Sequence, residues 1–459
     1  MRRITFVAML TLLGLSLVLP SGRTAHSTSL PNVVLILTDD QRSGTLWTMP
    51  NVTQEITAQG VTFSNYFDPD SECCPTRASI LSGQYAHTNG VYRNNPPHGG
   101  FSSFRDADTI ATRLHAAGYR TALIGKYLNG YTSGRYIPPG WDRWYAFTNP
   151  GYYSWKVSDQ GTVKSETTYS TDTLTDQATS FINSTPQGQP LFLDLAIFAP
   201  HGQGDRKPPV PRHDDDGKLD GIAPSRPPSF NEADVSDKPP FIQSLPPLDS
   251  QEIASNDLFR QKQLESLISV DRDVDILMTA LSDAGRLANT IVVFASDNGY
   301  LWGEHRWRGK NVTYEESIRL PLIIRYDPLT QAVAGSTNSS LVVNIDLTRT
   351  FADLAGASTD GMEGLSLVPL LGQQSTTWRD AFVLEHLAQS APTYCGARDG
   401  QFAYTQYQDG FEELYDLKAD PYELQNVASD ASYATELDHM RELAHTLCNP
   451  VPPGFTWTH

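Results

Sequence analysis

The stretch NVVLILTDDQ, residues 32–41, holds five consecutive apolar residues and then breaks off at Thr38, Asp39 and Asp40. An apolar run of that length reads as a strand buried on both faces, and its end in carboxylates puts chemistry at a strand tip. Three further stretches repeat the pattern. RTALIGKY (120–127) ends at Lys126, PLFLDLAIFAPH (190–201) at His201, and NTIVVFASDNG (289–299) at Asp297 and Asn298. Helical patterns separate them: one spans 106–117 and is closed by Gly118. Another, 258–281, carries Leu264, Leu267, Ile268, Val274 and Leu277 at helical spacing before Gly285. This alternation predicts an α/β fold with a large central mixed, mostly parallel sheet flanked by helices.

In such sheets the ligand sits at the carboxyl ends of the strands, so the four polar tips are expected to converge. One polar tip alone is an ordinary strand giving way to a loop. Four tips that supply three carboxylates, an amide, a lysine and a histidine point to a site. Asp39, Asp40, Asp297 and Asn298 are hard oxygen donors that suit calcium or magnesium rather than zinc. Three crowded carboxylates repel one another, and a divalent cation relieves that repulsion. Lys126 and His201 in the same place serve an anionic substrate, so the set points to phosphate or sulfate ester chemistry.

The N-terminus reads as an export signal: Arg2 and Arg3, an apolar stretch over 4–19, then Pro20, Ser21 and Gly22. A cut between Gly22 and His26 makes 1–25 a signal peptide. The mature chain is then secreted, extracellular or periplasmic, with no stable membrane anchor. The formal charge of −18 becomes −21 without Arg2, Arg3 and Arg23. A surface that acidic disfavours nucleic acid and anionic membranes.

More than 430 remaining residues exceed one small domain. The expected division is a main domain over 26–371 and a small α+β subdomain over 372–459. The shorter apolar runs AFVLEH and QFAYTQY of the latter suit an antiparallel sheet, followed by a helix over 431–447. Residues 202–250 hold ten of the 31 prolines and read as an ordered excursion over the site's rim, with Asp214, Asp215 and Asp216 as a solvated tip. Cys395 and Cys448 can pair in an oxidising compartment. Cys73 and Cys74 are neighbours, and a disulfide between neighbours is strained. Sequons stand at Asn51, Asn183, Asn311 and Asn338; a glycan at Asn311 would obstruct Lys310.

Cys73-x-Pro75-x-Arg77 followed by Leu81-Ser82-Gly83 resembles the signature of the type I sulfatases, members of the alkaline-phosphatase-like superfamily. LTDDQ, GKYLNGY, APHG, SDNGYLWGEH, RGKNVTYEES and ELYDLKADPYELQN occur in the family's order, so the resemblance runs from about Pro31 to about Ser429. The double cysteine and GKYLNGY look most like the branch of N-acetylglucosamine-6-sulfatases and extracellular heparan 6-O-sulfatases.

The resemblance implies that Cys73 is oxidised to formylglycine by a formylglycine-generating enzyme, while Cys74 is a small buried residue. Asp39, Asp40, Asp297, Asn298 and the modified Cys73 are implied ligands of one calcium ion. One hydroxyl of the aldehyde hydrate attacks sulfur with Asp297 as base, and deprotonating the other expels sulfate. Arg77, one helical turn beyond Cys73, holds the hydrate. Lys126 and Lys310 clamp sulfate, His201 assists the leaving group, and Asn129 and His305 contact substrate. His87 reads as a loop histidine. Leu128 stands where many arylsulfatases have a histidine assigned to sulfate elimination, which leaves the base for that step open. The implied function is a secreted sulfatase acting on a sulfated sugar such as N-acetylglucosamine 6-sulfate. Alternatives are a broad arylsulfatase, a phosphonate or phosphate ester hydrolase, and an inactive relative that binds sulfated carbohydrate.

Overall fold

The computed structural model describes residues 30–204, 207–374 and 376–459, so the expected signal peptide lies outside the described residues. Ten strands form the main sheet: β1 (Asn32–Thr38), β2 (Val61–Phe63), β3 (Arg120–Gly125), β4 (Arg143–Asn149), β5 (Trp155–Asp159), β6 (Thr162–Glu166), β7 (Leu191–Ala196), β8 (Thr290–Ser296), β9 (Leu322–Arg325) and β10 (Ser336–Asn338). Their spatial order is β10-β2-β9-β8-β1-β7-β3-β4-β5-β6. The central five, β8 to β4, are all parallel, and antiparallel strands flank them on both sides, which is the expected mixed, mostly parallel sheet.

Register explains why the tips meet. Thr38 pairs with Ser296, Leu37 with Ala196, and Ala196 with Gly125, so β1, β8, β7 and β3 end at nearly one level. The residues that follow, Asp39, Asp297 and Lys126, therefore leave the sheet side by side.

Helices cover both faces: α1 (Cys73–Ser82), α2 (Ile110–Ala116), α3 (Ser170–Ser184), α4 (Ser250–Asp283) and α5 (Ile345–Ala355). The period of two along β1 decides which residue meets which helix. Val34 and Ile36 join the core that α3 and α4 fill with Leu174, Phe181, Leu267 and Val274. Val33, Leu35 and Leu37 join the opposite core, with Ile110 and Leu114 of α2 and Leu347 and Phe351 of α5.

Two helix boundaries differ from the sequence reading. The helix expected over 106–117 starts at Ile110, because Thr109 and Thr112 form a reciprocal capping box. The one expected from 258 starts at Ser250, where Asp249 and Glu252 cap it in the same way. Each cap ranks above the first apolar residue as a start signal.

Beyond the main sheet, β11 (Ala381–His386), β12 (Tyr394–Asp399), β13 (Phe402–Tyr407) and β14 (Glu412–Asp416) form an antiparallel meander, packed by α6 (Ala434–Leu447). Cys395 of β12 and Cys448 beyond α6 are disulfide-bonded with Cα atoms 6.1 Å apart. Closing a loop of that separation, 53 residues, restricts the unfolded chain by about 4 kcal/mol.

Over its described residues, 202–204 and 207–250, the proline-rich segment is an ordered excursion packed on α4 and on the loop at Gly303. Asn231 N–H donates to Gly303 O at 2.8 Å, and His305 N–H to Ser229 O at 2.8 Å. Its acidic run is only partly a solvated tip. Asp214 and Asp216 are exposed, whereas Asp215 is buried and accepts from Ser269 at 2.7 Å, Lys218 at 2.7 Å and Arg272 at 2.6 Å. Three donors around one carboxylate offset its desolvation.

Candidate active site

Cys73 opens α1, a helix buried along its whole length. Glu72 precedes it in an extended conformation, and Gly83 ends the helix at φ +74°, where the left-handed backbone favours glycine. Arg77, four residues on, lies on the same face as Cys73. Its Nε and Nη2 are each 2.9 Å from Asp297 Oδ2, and Nη2 is 3.8 Å from Asp39 Oδ2. The second Asp297 oxygen, Oδ1, accepts the backbone N–H of Asn298 at 2.8 Å and of Asp40 at 3.2 Å. Asp40 reaches that amide contact in a left-handed conformation, φ +69°, which aspartate tolerates better than most residues.

Two lysines complete the cluster. Lys126 Nζ pairs with Asp39 Oδ2, and Lys310 Nζ with Asp40 Oδ1. Lys310 also lies 3.1 Å from Asn298 Oδ1 and 2.7 Å from Cys73 Sγ. Asn298 Nδ2 donates to Asp40 Oδ1 at 2.6 Å. Asp39 Oδ1 is 3.5 Å from the Cys73 sulfur, and His201 Nε2 is 3.7 Å from Asp40 Oδ2. His201 and Lys310 are the partly exposed members; Asp39, Asp40, Cys73, Arg77, Lys126, Asp297 and Asn298 are buried.

The charges hold one another in place. Burial pushes Asp39 up, but Lys126, His201 and Arg77 outweigh it and bring the carboxyl down to about 2. Burial likewise opposes Asp40, and Lys310 followed by His201 overcomes it, leaving the group below its usual value. Burial and then Asp39 push the Cys73 thiol up, against Lys126 and Lys310. Three carboxylates face three permanent cations, so the protein alone supplies a nearly neutral set. A divalent ion held there would make the site positive and attractive to an anionic ester.

Oxygen donors from Asp39, Asp40, Asp297 and Asn298 gathered around one thiol fit calcium, which takes six to eight oxygens in flexible geometry. Ligand atoms of Asp39, Asp40, Cys73 and His201 all lie within 4.8 Å of one another.

Nine sequence-selected residues thus meet: Asp39, Asp40, Cys73, Arg77, Lys126, His201, Asp297, Asn298 and Lys310. Two stand apart. Asn129 lies on the loop after β3, where its carbonyl accepts Phe101 N–H at 2.7 Å. His305 is fully buried, with Nδ1 2.6 Å from Glu232 Oε2, so its side chain offers no surface to a substrate in this structure. Cys74 and Leu128 share an apolar cluster with Leu81, Val91 and Tyr127, as a small buried residue should. His87 pairs with Glu385 at 3.0 Å.

The sequence reading missed two supporting groups. Asn94 Oδ1 accepts Cys74 N–H at 3.0 Å in the first turn of α1. It lies in a stretch without periodicity, so only the fold brings it there. Asp194, inside the apolar run of β7, lines a cavity of about 10 Å³ with Arg77, Lys126 and Tyr127.

Burial raises Asp194 to about 7 despite Arg77. A folded-state value above the unfolded one means the native protein holds this proton more tightly. The associated stability is fully present below about pH 4 and is lost as pH rises toward 7, on the order of 4 kcal/mol. Unfolding midpoints at pH 5 and pH 8 are expected to differ markedly less in Asp194→Asn than in the unmodified protein. Equal pH slopes in the two proteins would show that Asp194 does not carry the effect.

The sequence pattern of the Sulfatase family matches residues 31–357, and that of the N-sulphoglucosamine sulphohydrolase C-terminal region matches 303–449. Human N-acetylglucosamine-6-sulfatase is 30% identical over 461 residues, covering 88% of this chain and 82% of that protein. The extracellular sulfatase SULF-1 homolog of Drosophila melanogaster is 33% identical over 374 residues, 77% of this chain; the chain spans only 33% of that protein's length, and 52% of a nematode counterpart's. A solved structure in complex with its substrate D-glucosamine-2-N,6-O-disulfate is 26% identical with a TM-score of 0.77, covering 91% of this chain and 97% of that one. The family pattern covers the main sheet through α5, and with it every strand tip that meets at Cys73. The chain therefore belongs to the sulfatase family, a group of sulfuric ester hydrolases.

Proposed function

We propose that this chain is a secreted, calcium-dependent sulfatase that hydrolyses the 6-O-sulfate of an N-acetylglucosamine-type sugar, using a formylglycine formed from Cys73. The observation that carries the reading is the convergence of three carboxylates, an amide and three cations on one buried cysteine at a helix N-terminus. Relatives named for N-acetylglucosamine 6-sulfate and a structural neighbour bound to a 6-O-sulfated glucosamine support the sugar. Among the described residues no helix is long and apolar enough to cross a membrane.

Calcium, when bound by Asp39, Asp40, Asp297 and Asn298, supplies Lewis-acid polarisation of a sulfate oxygen. The aldehyde at 73, once hydrated, supplies both a nucleophile and a way to release sulfate. The protein's own groups do the rest. Lys126 and Lys310 neutralise sulfate oxygens and so open sulfur to attack. Arg77, held by Asp297, fixes the reacting group at 73. Asp297 takes the proton of the attacking hydroxyl by the family's pattern; among the described contacts, Asp39 Oδ1 is the carboxylate oxygen beside the Cys73 sulfur. His201, at the mouth, gives a proton to the departing sugar oxygen. The main domain over 26–371 carries this chemistry, and 372–459 forms the subdomain behind it.

Protein from a host that converts such cysteines is expected to release sulfate from N-acetylglucosamine 6-sulfate, and to cleave nitrophenyl sulfate faster than nitrophenyl phosphate. Preference for the phosphate by a wide margin would replace the sulfatase reading with a phosphate or phosphonate ester hydrolase. Sugar binding by Cys73→Ala, with no turnover by the unmodified protein, would favour a carbohydrate-binding role.

A further inference from the structure

Three segments close around His305, carrying Glu232, Tyr314 with Glu316, and Glu423. Its ring is fully buried and stacks on Tyr314 with centroids 4.1 Å apart. Nδ1 lies 2.6 Å from Glu232 Oε2 in the proline-rich segment, and Nε2 is buried without a hydrogen-bond partner. One ring nitrogen of His305 and one carboxylate oxygen each from Glu316 and Glu423 lie within 4.8 Å of one another. With Nδ1 held by Glu232, the nitrogen left to face them is Nε2.

An imidazole that donates Nδ1–H to a carboxylate presents a lone pair at Nε2. Here that lone pair meets two more acceptors. Glu423 directs Oε2 to the N–H of Glu315 at 2.9 Å. Arg42 lies 3.7 Å from Glu316, but its nearer partner is Glu304 at 2.7 Å. Three acceptors facing one another with no donor between them are costly away from water unless a cation joins them. A carboxylate that orients the far nitrogen of a histidine is also the usual support behind a metal-bound imidazole.

We propose that His305 Nε2, Glu316 and Glu423 form a second metal site, distinct from the oxygen-rich cluster at Cys73, that takes one zinc ion with Glu232 orienting the imidazole. One nitrogen and two carboxylates match zinc's preference for mixed N/O donors and leave a fourth position for water. The partly exposed side chain of Glu316 provides the entry path. The ion ties the loop over 303–310, which ends in Lys310, to the turn after β14 that carries Glu423. Its role is to hold that lysine's loop against the C-terminal subdomain.

The test uses the full chain, saturated with calcium, stripped of transition metals, and titrated with Zn2+ by calorimetry and with Co2+ by visible absorption. One equivalent is expected to bind, with cobalt ligand-field bands, and to persist in Asp40→Asn, which alters only the Cys73 cluster. Affinity should fall at least tenfold in Glu423→Gln and Glu316→Gln, and about 10- to 100-fold in Glu232→Gln. Circular dichroism establishes that each variant is folded; should Glu423→Gln fail to fold, Glu316→Gln, at a partly exposed position, gives the same reading. No zinc bound by the folded unmodified protein, or binding untouched by the glutamine variants, overturns the site and leaves a proton shared by His305 and the carboxylates.

Discussion

Cys73→Ala is expected to lower turnover of a sulfated substrate by about four to six orders of magnitude, the scale seen when a nucleophile is removed from a covalent hydrolase. The fold should survive, because the sulfur's polar contacts are with Asp39 and Lys310, both of which have other partners. Cys73→Ser sharpens the point. A serine hydroxyl can attack sulfur but has no second hydroxyl with which to discard sulfate, so this variant is expected to accept one sulfo group per chain and stop. A mass spectrum of the peptide around 73 reads both outcomes, and in the unmodified protein it should show the aldehyde or its hydrate at 73 with Cys74 unchanged. The plain thiol is a poor substitute, since burial and Asp39 hold it protonated. Full activity from protein shown to carry an unmodified thiol at 73 would remove formylglycine from the mechanism.

Asp297→Asn is expected to cost both activity and stability. Its Oδ2 is the near partner of Arg77 Nε and Nη2, each at 2.9 Å, and the alternative carboxylate, Asp39, is 3.8 Å away. Removing one member of a buried ion pair strands the other and costs about 3–5 kcal/mol. Turnover should drop by at least about 100-fold, because a metal donor and the support of Arg77 vanish together. Calcium separates the two effects. In the unmodified protein, calcium at about 100 times its dissociation constant should add about 3 kcal/mol of stability, and a chelator should remove both that increment and the activity. In Asp297→Asn, the calcium-dependent increment should be much smaller. A variant with unmodified turnover and calcium response would take Asp297 out of the ligand set.

Much of the fold and nearly all of the site cluster were legible in the chain because of what parallel sheets require. Strands buried on both faces must be continuously apolar, so β1, β7 and β8 stand out as runs, and their carboxyl ends share one edge, so the polar residues that stop the runs become neighbours. Cys73, Arg77 and Lys310 came from the resemblance to the sulfatase motifs, and helical spacing then put Arg77 on the face of Cys73. The C-terminal meander was legible as short apolar runs.

Other features depended on partners that no local pattern announces. His305 sits five residues before Lys310, yet Lys310 reaches Cys73 while His305 is turned inward to Glu232, from the proline-rich segment. Adjacency in a motif carries no information about depth. Asp215 looks like one more residue of an acidic tip until Ser269 and Arg272 of α4 close over it. Asp194 reads as an interruption in an apolar strand, and only the packing of α1 behind the sheet places it in a cavity with Arg77. The pairing of Cys395 with Cys448 needed α6 laid against β12.

By itself, then, the sequence determined the α/β sheet and the six polar residues at its strand tips, because strand periodicity and strand direction are local properties that propagate to the sheet; its resemblance to the sulfatases added Cys73, Arg77 and Lys310. The tertiary structure alone decided which polar residues are buried, which carboxylate holds which cation, and which histidine faces the mouth. Those outcomes depend on desolvation and on contacts between segments far apart in the chain, and neither is encoded in any single stretch of it.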